Sequence, residues 1–364
     1  MINVLYKYGL LLFCLTLFIN GFSQFDERQG ALKETVHLGA ILPHRKVVNE
    51  LVEGHAFAYE VSYYHSTYGG KDWQEVYNYP KLGISGLYMN FGNAEELGHG
   101  FGLLSFIELP MNDKKINWRV KMGYGLGYIQ KPFDRETNYK NIAIGSRLNA
   151  LLYMSNMWHV NLNENLSTSL GVSLIHFSNG SYKKPNLGLN VATISAGFAY
   201  HFGALKEKQV SEHNHRQHFW RKQVMLGVGL KEIPPVEGPK YFVSSLSFNG
   251  LRSFSEKSSY GVGVDLFYNT ALPDLMAIED DSYNTKGTDK LRFGIVGMYG
   301  LDFGRISLLL QMGAYVFNNY DEQGPIYHRV CTRYYVKENA FLNLSLKTHY
   351  AVADFIEVGG GISF

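Results

Sequence analysis

The chain of 364 residues has little cysteine, little net charge and, beyond its N-terminus, no long apolar run. Its two cysteines, Cys14 and Cys331, offer no disulfide framework, because Cys14 falls in a predicted export signal. The formal net charge of +2 gives no strong field, so we expect no nucleic-acid partner. A spanning helix needs about 20 apolar residues. A membrane-embedded form of this chain must therefore be a closed β-barrel.

The N-terminus is typical of a cleaved export signal. Lys7 supplies the positive charge, and an apolar run occupies residues 9–19. Gly21 and Ser23 are the small residues expected before a cleavage site. We predict that residues 1–23 are a signal peptide, cut after Ser23, and that the mature protein resides in the outer membrane.

Apolar and polar residues alternate through most of the remaining chain. Aromatic residues make up 15%, with 26 Tyr and 23 Phe, and there are 38 Gly. Runs such as 56–63 and 191–202 have a period of two, and Gly, Asn, Asp and Ser separate them. The chain ends in an aromatic residue, Phe364, which is common in outer-membrane barrels. These features predict an all-β fold, an antiparallel transmembrane β-barrel of about 14–16 strands.

A polar stretch divides the predicted strands into two groups. We expect a first barrel region at 24–202, a polar connection at 203–218 and an additional β-strand region at 219–364. The alternative to one wide barrel is an eight-stranded barrel followed by a second β unit. The connection contains three histidines, His213, His215 and His218. A solvated linker is the favoured reading, because no fixed zinc-type spacing accompanies them.

One segment of the first region carries candidate chemistry. His176 and Ser178 are two apart in a predicted strand, so both side chains project from the same face. A base beside a hydroxyl is the minimum apparatus for nucleophilic ester cleavage. Because the surrounding chain is predicted to be a membrane barrel, the expected ester is a lipid.

The run from His176 to Asn190 resembles the active-site motif of the lipid A 3-O-deacylase (acyloxyacyl hydrolase) family. The resemblance rests on His176-Phe177-Ser178-Asn179-Gly180 and on the following loop, Lys183-Lys184-Pro185-Asn186-Leu187-Gly188. It extends more loosely from about Glu34 to Phe202, the size of that family's eight-stranded barrel. The residues beyond Gly203 would make this chain a long form with additional C-terminal strands.

The resemblance implies a role for each matching position. Ser178 matches the nucleophile and His176 the general base, while Asn179 and Gly180 match the oxyanion position. Asn190 stands where compact members have a glutamate that orients the histidine. A neutral Asn oxygen can still accept the Nδ1–H of a histidine, but it stabilises an imidazolium less than a carboxylate does. Asp134 and Glu136, in an earlier loop, are possible substitutes for the missing carboxylate.

The same resemblance implies lipid A, or lipopolysaccharide, as the substrate. If the first strand rises from the periplasm, the seventh also rises, which places the loop after Ser178 outside the cell. Lys183 and Lys184 could then bind lipid A phosphates. No metal-ligand cluster accompanies the motif, and ester hydrolysis of this kind requires neither a metal nor another cofactor. The alternative function is a non-enzymatic outer-membrane channel or structural barrel, since a single wide barrel would enclose water.

Overall fold

A computed structural model of the protein describes residues 30–204, 206–210, 220–350 and 352–364. The predicted signal peptide and the three histidines of the connection lie outside the described residues. The described chain consists mainly of long antiparallel strands joined by turns and loops. Its helices are all too short or too polar to span a bilayer.

The first eight strands close into one barrel. Each strand pairs with the next, and β1 pairs back to β8, so that Leu32 lies opposite Tyr200. The strands are β1 (Gly30–Ile41), β2 (Ala56–Ser66), β3 (Lys81–Asn90), β4 (His99–Pro110), β5 (Ile116–Ile129), β6 (Leu148–Asn161), β7 (Leu166–Ser178) and β8 (Leu189–Phe202). Two short helices, α1 (Lys46–Asn49) and α2 (Asp72–Val76), lie in its loops.

The last eight strands close into a second barrel. Here β9 pairs with both β10 and β16, and Gln223 lies opposite Ser363. The strands are β9 (Trp220–Lys231), β10 (Tyr241–Ser253), β11 (Ser258–Asn269), β12 (Leu291–Phe303), β13 (Ile306–Phe317), β14 (Ile326–Lys337), β15 (Ala340–His349) and β16 (Val352–Ser363). Helix α3 (Leu272–Glu279) and a 3₁₀ turn (Gly287–Lys290) occupy the loop between β11 and β12.

The predicted all-β antiparallel barrel fold is confirmed, with two barrels instead of one. Of the two arrangements left open by the sequence, the eight-stranded barrel followed by a second β unit is the one that forms, and the single wide barrel is not. Each set of eight strands pairs its own two edges, so neither set needs the other for closure. The chain accordingly divides into two compact units, and the short segment Gly180–Lys184 groups with the second.

Both barrels are apolar outside and polar inside, the reverse of a soluble protein. On the first barrel the exposed outward side chains include Leu38, Leu103, Met154, Leu170 and Ile194. Its interior side chains are buried and largely polar or charged, among them Lys33, His37, Glu60, Lys121 and Ser195. Exposed apolar surface with a polar interior is the pattern of a barrel that faces lipid.

Charges inside the first barrel are balanced by direct pairing. Glu60, 1% exposed, forms an ion pair with Lys121 and accepts a hydrogen bond of 2.8 Å from Ser62 Oγ. His37 Nε2 lies 3.3 Å from the same carboxylate. An eight-stranded barrel is just wide enough for side chains to fill it, and this network occupies its interior.

We expect Glu60→Gln to destabilise the first barrel strongly. The substitution leaves the buried Lys121 ammonium without its carboxylate, which typically costs about 3–5 kcal/mol. Glu53→Gln, at an exposed loop position, is the matched control and should change the free energy of unfolding little. Urea unfolding in lipid vesicles measures the free energy of unfolding of both variants. Equal stability of the two would contradict a stabilising ion pair between Glu60 and Lys121.

Loops cover the end of the first barrel at which odd-numbered strands finish. Val48 of α1, Phe91, Leu97 and Ile144 come from three of these loops and are all buried. They pack in one apolar cluster with barrel side chains that include Phe177 of β7. This packing fixes the loops around the last residues of β7.

Candidate functional site

His176 and Ser178 project from the outer face of β7. Burial alternates along this strand: Val172 and Leu174 are exposed, whereas Ile175 and Phe177 are fully buried. His176 and Ser178 continue the outward series and are partly exposed. The candidate base and nucleophile therefore lie on the lipid-facing side of the wall, where β7 ends.

Strand pairing brings Asn190 beside His176. The two residues lie directly opposite each other in the register of β7 and β8. His176 Nδ1 is 2.7 Å from Asn190 Oδ1. Because an amide oxygen only accepts, His176 donates through Nδ1–H, and the unprotonated Nε2 is left as a base.

A second histidine lies behind Asn190. Asn190 Nδ2 is 3.2 Å from Nδ1 of His44, and His44 Nε2 is 2.9 Å from the carbonyl oxygen of Leu187. His44 is exposed and lies in the loop between β1 and α1. The amide of Asn190 thus bridges two imidazoles.

The loop between β7 and β8 holds the candidate nucleophile through Asn186. Asn186 Nδ2 donates to Ser178 Oγ over 3.0 Å, and Asn186 Oδ1 accepts the backbone N–H of Asn179 over 3.0 Å. The opposite contact, from Ser178 Oγ to Asn186 Oδ1, is longer at 3.4 Å. One amide side chain therefore ties the hydroxyl to the backbone that follows it.

Asn179 is buried, and its side chain is also engaged. Its Nδ2 donates to Ser146 Oγ over 2.9 Å. Ser146 in turn contacts Asn149 Oδ1 at 3.1 Å. Both donors of Asn179, the backbone and the side-chain amide, thus have protein acceptors in this structure.

Gly188 leaves room for the imidazole. It has a φ of +82°, and a Cβ built there would come within 2.9 Å of His176 Cε1. A side chain at this position would therefore strain the backbone and displace the ring. Its N–H donates to the carbonyl of Ala143, which fixes the loop at 2.9 Å.

The remaining site residues predicted from the sequence are those of the segment after Asn179 and the possible substitute carboxylates of the earlier loop. Gly180, Lys183 and Lys184 belong to the segment that groups with the second unit, so their assignment stays a prediction. Asp134 accepts hydrogen bonds from Glu136 N, Thr137 N and Thr137 Oγ1, which stabilise its own turn. The side chain that meets His176 Nδ1 is that of Asn190.

A second serine–histidine–acid arrangement lies inside the first barrel. His37 Nδ1 is 2.8 Å from Ser195 Oγ, and its Nε2 faces Glu60 at 3.3 Å. His37 and Ser195 are both 0% exposed. A bulky lipid could not reach this group within a filled barrel, so we assign it a structural role. Within the described ranges, no cluster of three or more His, Cys, Asp or Glu is placed to hold a metal ion.

Two family models match the chain. The model of lipid A 3-O-deacylase (PagL) matches residues 57–199, and the model of the acyloxyacyl hydrolase C-terminal domain matches residues 220–364. The chain belongs to the lipid A 3-O-deacylase (PagL) family. The predicted family and its long form are confirmed. PagL membership supports a hydrolase that acts as a lipid A deacylase in the outer membrane.

Other comparisons add little to the PagL assignment. No curated protein matches this chain. An engineered variant of the Rhodopseudomonas blastica porin is 8% identical over 92% of this chain and 99% of its own, with a TM-score of 0.18. The outer-membrane protein Omp33 of Acinetobacter baumannii is 8% identical over 93% and 97%, with a TM-score of 0.16. Scores this low support no inference.

Three polar residues of this PagL-family site were assigned no role from the sequence. His44 lies far from the motif in sequence, and only the barrel closure of β1 against β8 brings it to Asn190. Ser146 belongs to the loop before β6 and carries no sequence signal. Asn186 was visible as part of the motif, but its contact with Ser178 depends on how the loop folds back.

We expect Gly188→Ala to displace His176. The new Cβ would meet the imidazole, and the positive φ adds roughly 1–2 kcal/mol of backbone strain. The measurement is the ¹⁵N spectrum of histidine-labelled protein in micelles, where the His176 resonances should shift or broaden. Gly86→Ala is the control, because a Cβ there meets nothing within 4 Å. An unchanged His176 spectrum in Gly188→Ala would contradict the described geometry.

Proposed function

We propose that this protein is an outer-membrane esterase that removes a 3-linked acyl chain from lipid A by serine–histidine catalysis. The chain would be exported through a signal peptide cleaved after Ser23, and the first barrel region would carry the activity. One observation supports this most strongly. His176 and Ser178 share the outer face of β7, and Asn190 holds the histidine in the tautomer that a general base needs.

The first half of the proposed reaction acylates Ser178. The Cα atoms of His176 and Ser178 are about 7 Å apart, from two residues of strand rise. His176 Nε2 takes the hydroxyl proton as Ser178 Oγ attacks the ester carbonyl carbon. The carbonyl π electrons move to oxygen and then return as the ester C–O bond breaks. The sugar 3-oxygen leaves with the proton from Nε2, and the acyl chain stays on Oγ.

The second half regenerates the enzyme. His176 Nε2 removes a proton from water, the resulting hydroxide attacks the acyl carbon, and the Oγ–C bond breaks. Ser178 regains its proton and the fatty acid leaves. We place the oxyanion near the backbone N–H of Asn179 and near Gly180. The substrate oxygen would take over the Asn179 N–H from Asn186 Oδ1; losing one such donor typically costs about 3–4 kcal/mol.

The surroundings of the pair suit an acyl chain. Leu152 lies opposite His176 on β6 and is 44% exposed, and Leu174 precedes it on β7. Ala150 lies opposite Ser178, so the nucleophile has a small neighbour on that side. An ester near the end of β7 can place its carbonyl at Ser178 while its hydrocarbon chain contacts the apolar outer surface of the barrel.

The non-enzymatic alternative gains no support from the fold. The predicted water-filled lumen depended on one wide barrel, and the chain forms two narrow ones. Paired charged side chains occupy the interior of each, such as Glu60 with Lys121 and Asp265 with Arg329. An open channel through such an interior would require these pairs to separate.

We expect Ser178→Ala to abolish deacylation. Removal of the attacking oxygen should lower kcat by at least about 1000-fold. The measurement is mass spectrometry of lipid A after incubation with purified protein, following loss of one 3-hydroxyacyl mass. Ser195→Ala, which removes the interior serine, is the matched control and should retain activity. Full activity of Ser178→Ala would reject Ser178 as the nucleophile. Loss of activity only in Ser195→Ala would instead indicate that the active site lies inside the first barrel.

Lys183 and Lys184 are proposed to bind lipid A phosphates. We expect Lys183→Gln with Lys184→Gln to raise KM about tenfold for phosphorylated lipid A, since a charged hydrogen bond is worth about 1.5–3 kcal/mol. The KM for dephosphorylated lipid A should not change. Lys114→Gln with Lys115→Gln is the control pair, in the loop between β4 and β5. An equal rise in KM for both substrates would show that the two lysines do not bind the lipid A phosphates.

A further inference from the structure

A chain of three hydrogen bonds runs from a backbone carbonyl to the proposed base. It begins at the Leu187 carbonyl, passes through His44 and Asn190, and ends at His176. The three contacts are 2.9 Å, 3.2 Å and 2.7 Å long. His44 is thus joined to three groups, at positions 176, 187 and 190, that lie more than 130 residues later in the sequence.

The Leu187 carbonyl determines which group donates in each of these three hydrogen bonds. A carbonyl can only accept, so His44 must donate through Nε2–H. The neutral ring of His44 then has an unprotonated Nδ1, which accepts a hydrogen from Asn190 Nδ2. With its nitrogen turned toward His44, the Asn190 amide turns its oxygen toward His176.

The amide orientation matters because asparagine is not symmetric. If Asn190 were flipped, its NH₂ group would face His176 Nδ1, and the ring would have to accept there. His176 would then carry its proton on Nε2, where it cannot act as a base toward Ser178. A carboxylate has two equivalent acceptor oxygens and needs no such orientation.

We propose that His44 is a positioning residue that fixes the orientation of Asn190 and, through it, the protonation of His176. This inference rests on the proposed function, since it concerns the same serine–histidine pair. His44 supplies in this chain the directionality that a carboxylate at position 190 would provide by its symmetry. It touches neither Ser178 nor the expected position of the ester.

The test is a double-mutant cycle between positions 44 and 190. In the native Asn190 background, His44→Phe removes the acceptor for Asn190 Nδ2 and should lower kcat for lipid A about five- to tenfold. KM should be unaffected. In the Asn190→Asp background the same His44→Phe change should lower kcat less than twofold, because either carboxylate oxygen accepts from His176.

Two further variants separate positioning from loop stability. His44→Asn places an amide oxygen close to the position of His44 Nδ1 and should recover part of the lost kcat. His55→Phe changes an exposed histidine at the same end of the barrel and should have no effect in either background. An equal loss from His44→Phe in both backgrounds would overturn the proposal, because a loop defect does not depend on residue 190.

A measurement without substrate keeps the two proposals apart. The ¹⁵N spectrum of histidine-labelled protein in micelles should show His176 protonated on Nδ1 and His44 protonated on Nε2. In His44→Phe, the Nε2–H form of His176 should become populated. These tautomers in a protein that fails to deacylate lipid A would reject the proposed function alone. An unchanged His176 tautomer in His44→Phe would reject the role of His44, whatever the activity.

Discussion

The site depends on the two-residue alternation of β7 within a closed barrel. Closure requires each strand to keep one face inward, and the interior of the first barrel is filled with paired charges and hydroxyls. A slip of one residue would place Phe177 in lipid and bury His176 and Ser178 in that interior. The pairing of His176 with Asn190 in the register of β8 exists only in the observed alignment.

The motif around the candidate site now has a physical reading. Asn186 holds Ser178 and the backbone of Asn179, the carbonyl of Leu187 anchors His44, and Gly188 leaves room for the ring of His176. Three consecutive residues of one loop thus serve three different members of the site. In the buried interior group, His37 contacts both Ser195 and Glu60. A serine–histidine–acid contact alone therefore does not identify a catalytic serine.

The fold class and the family could be predicted from the sequence. Features that depend on contacts between distant parts of the chain could not. Period-two patterning predicted the strands. Barrel closure, however, is a pairing between segments that are distant in sequence. The choice between one barrel and two therefore required knowing that β1 pairs with β8. The motif led to His176, Ser178 and Asn190. It could not reveal His44, because nothing in the local sequence of that loop indicates contact with a residue nearly 150 positions later.

The central claim, that the outward hydroxyl of Ser178 is a nucleophile, is tested most directly by trapping it. Outer membranes containing the full-length protein would be treated with a long-chain alkyl fluorophosphonate, and the labelled peptide would be identified by mass spectrometry. The account predicts one adduct on Ser178 that disappears in His176→Gln. Labelling of Ser195 or another residue, or deacylation of lipid A by a protein whose Ser178 stays unlabelled at saturating reagent, would contradict it.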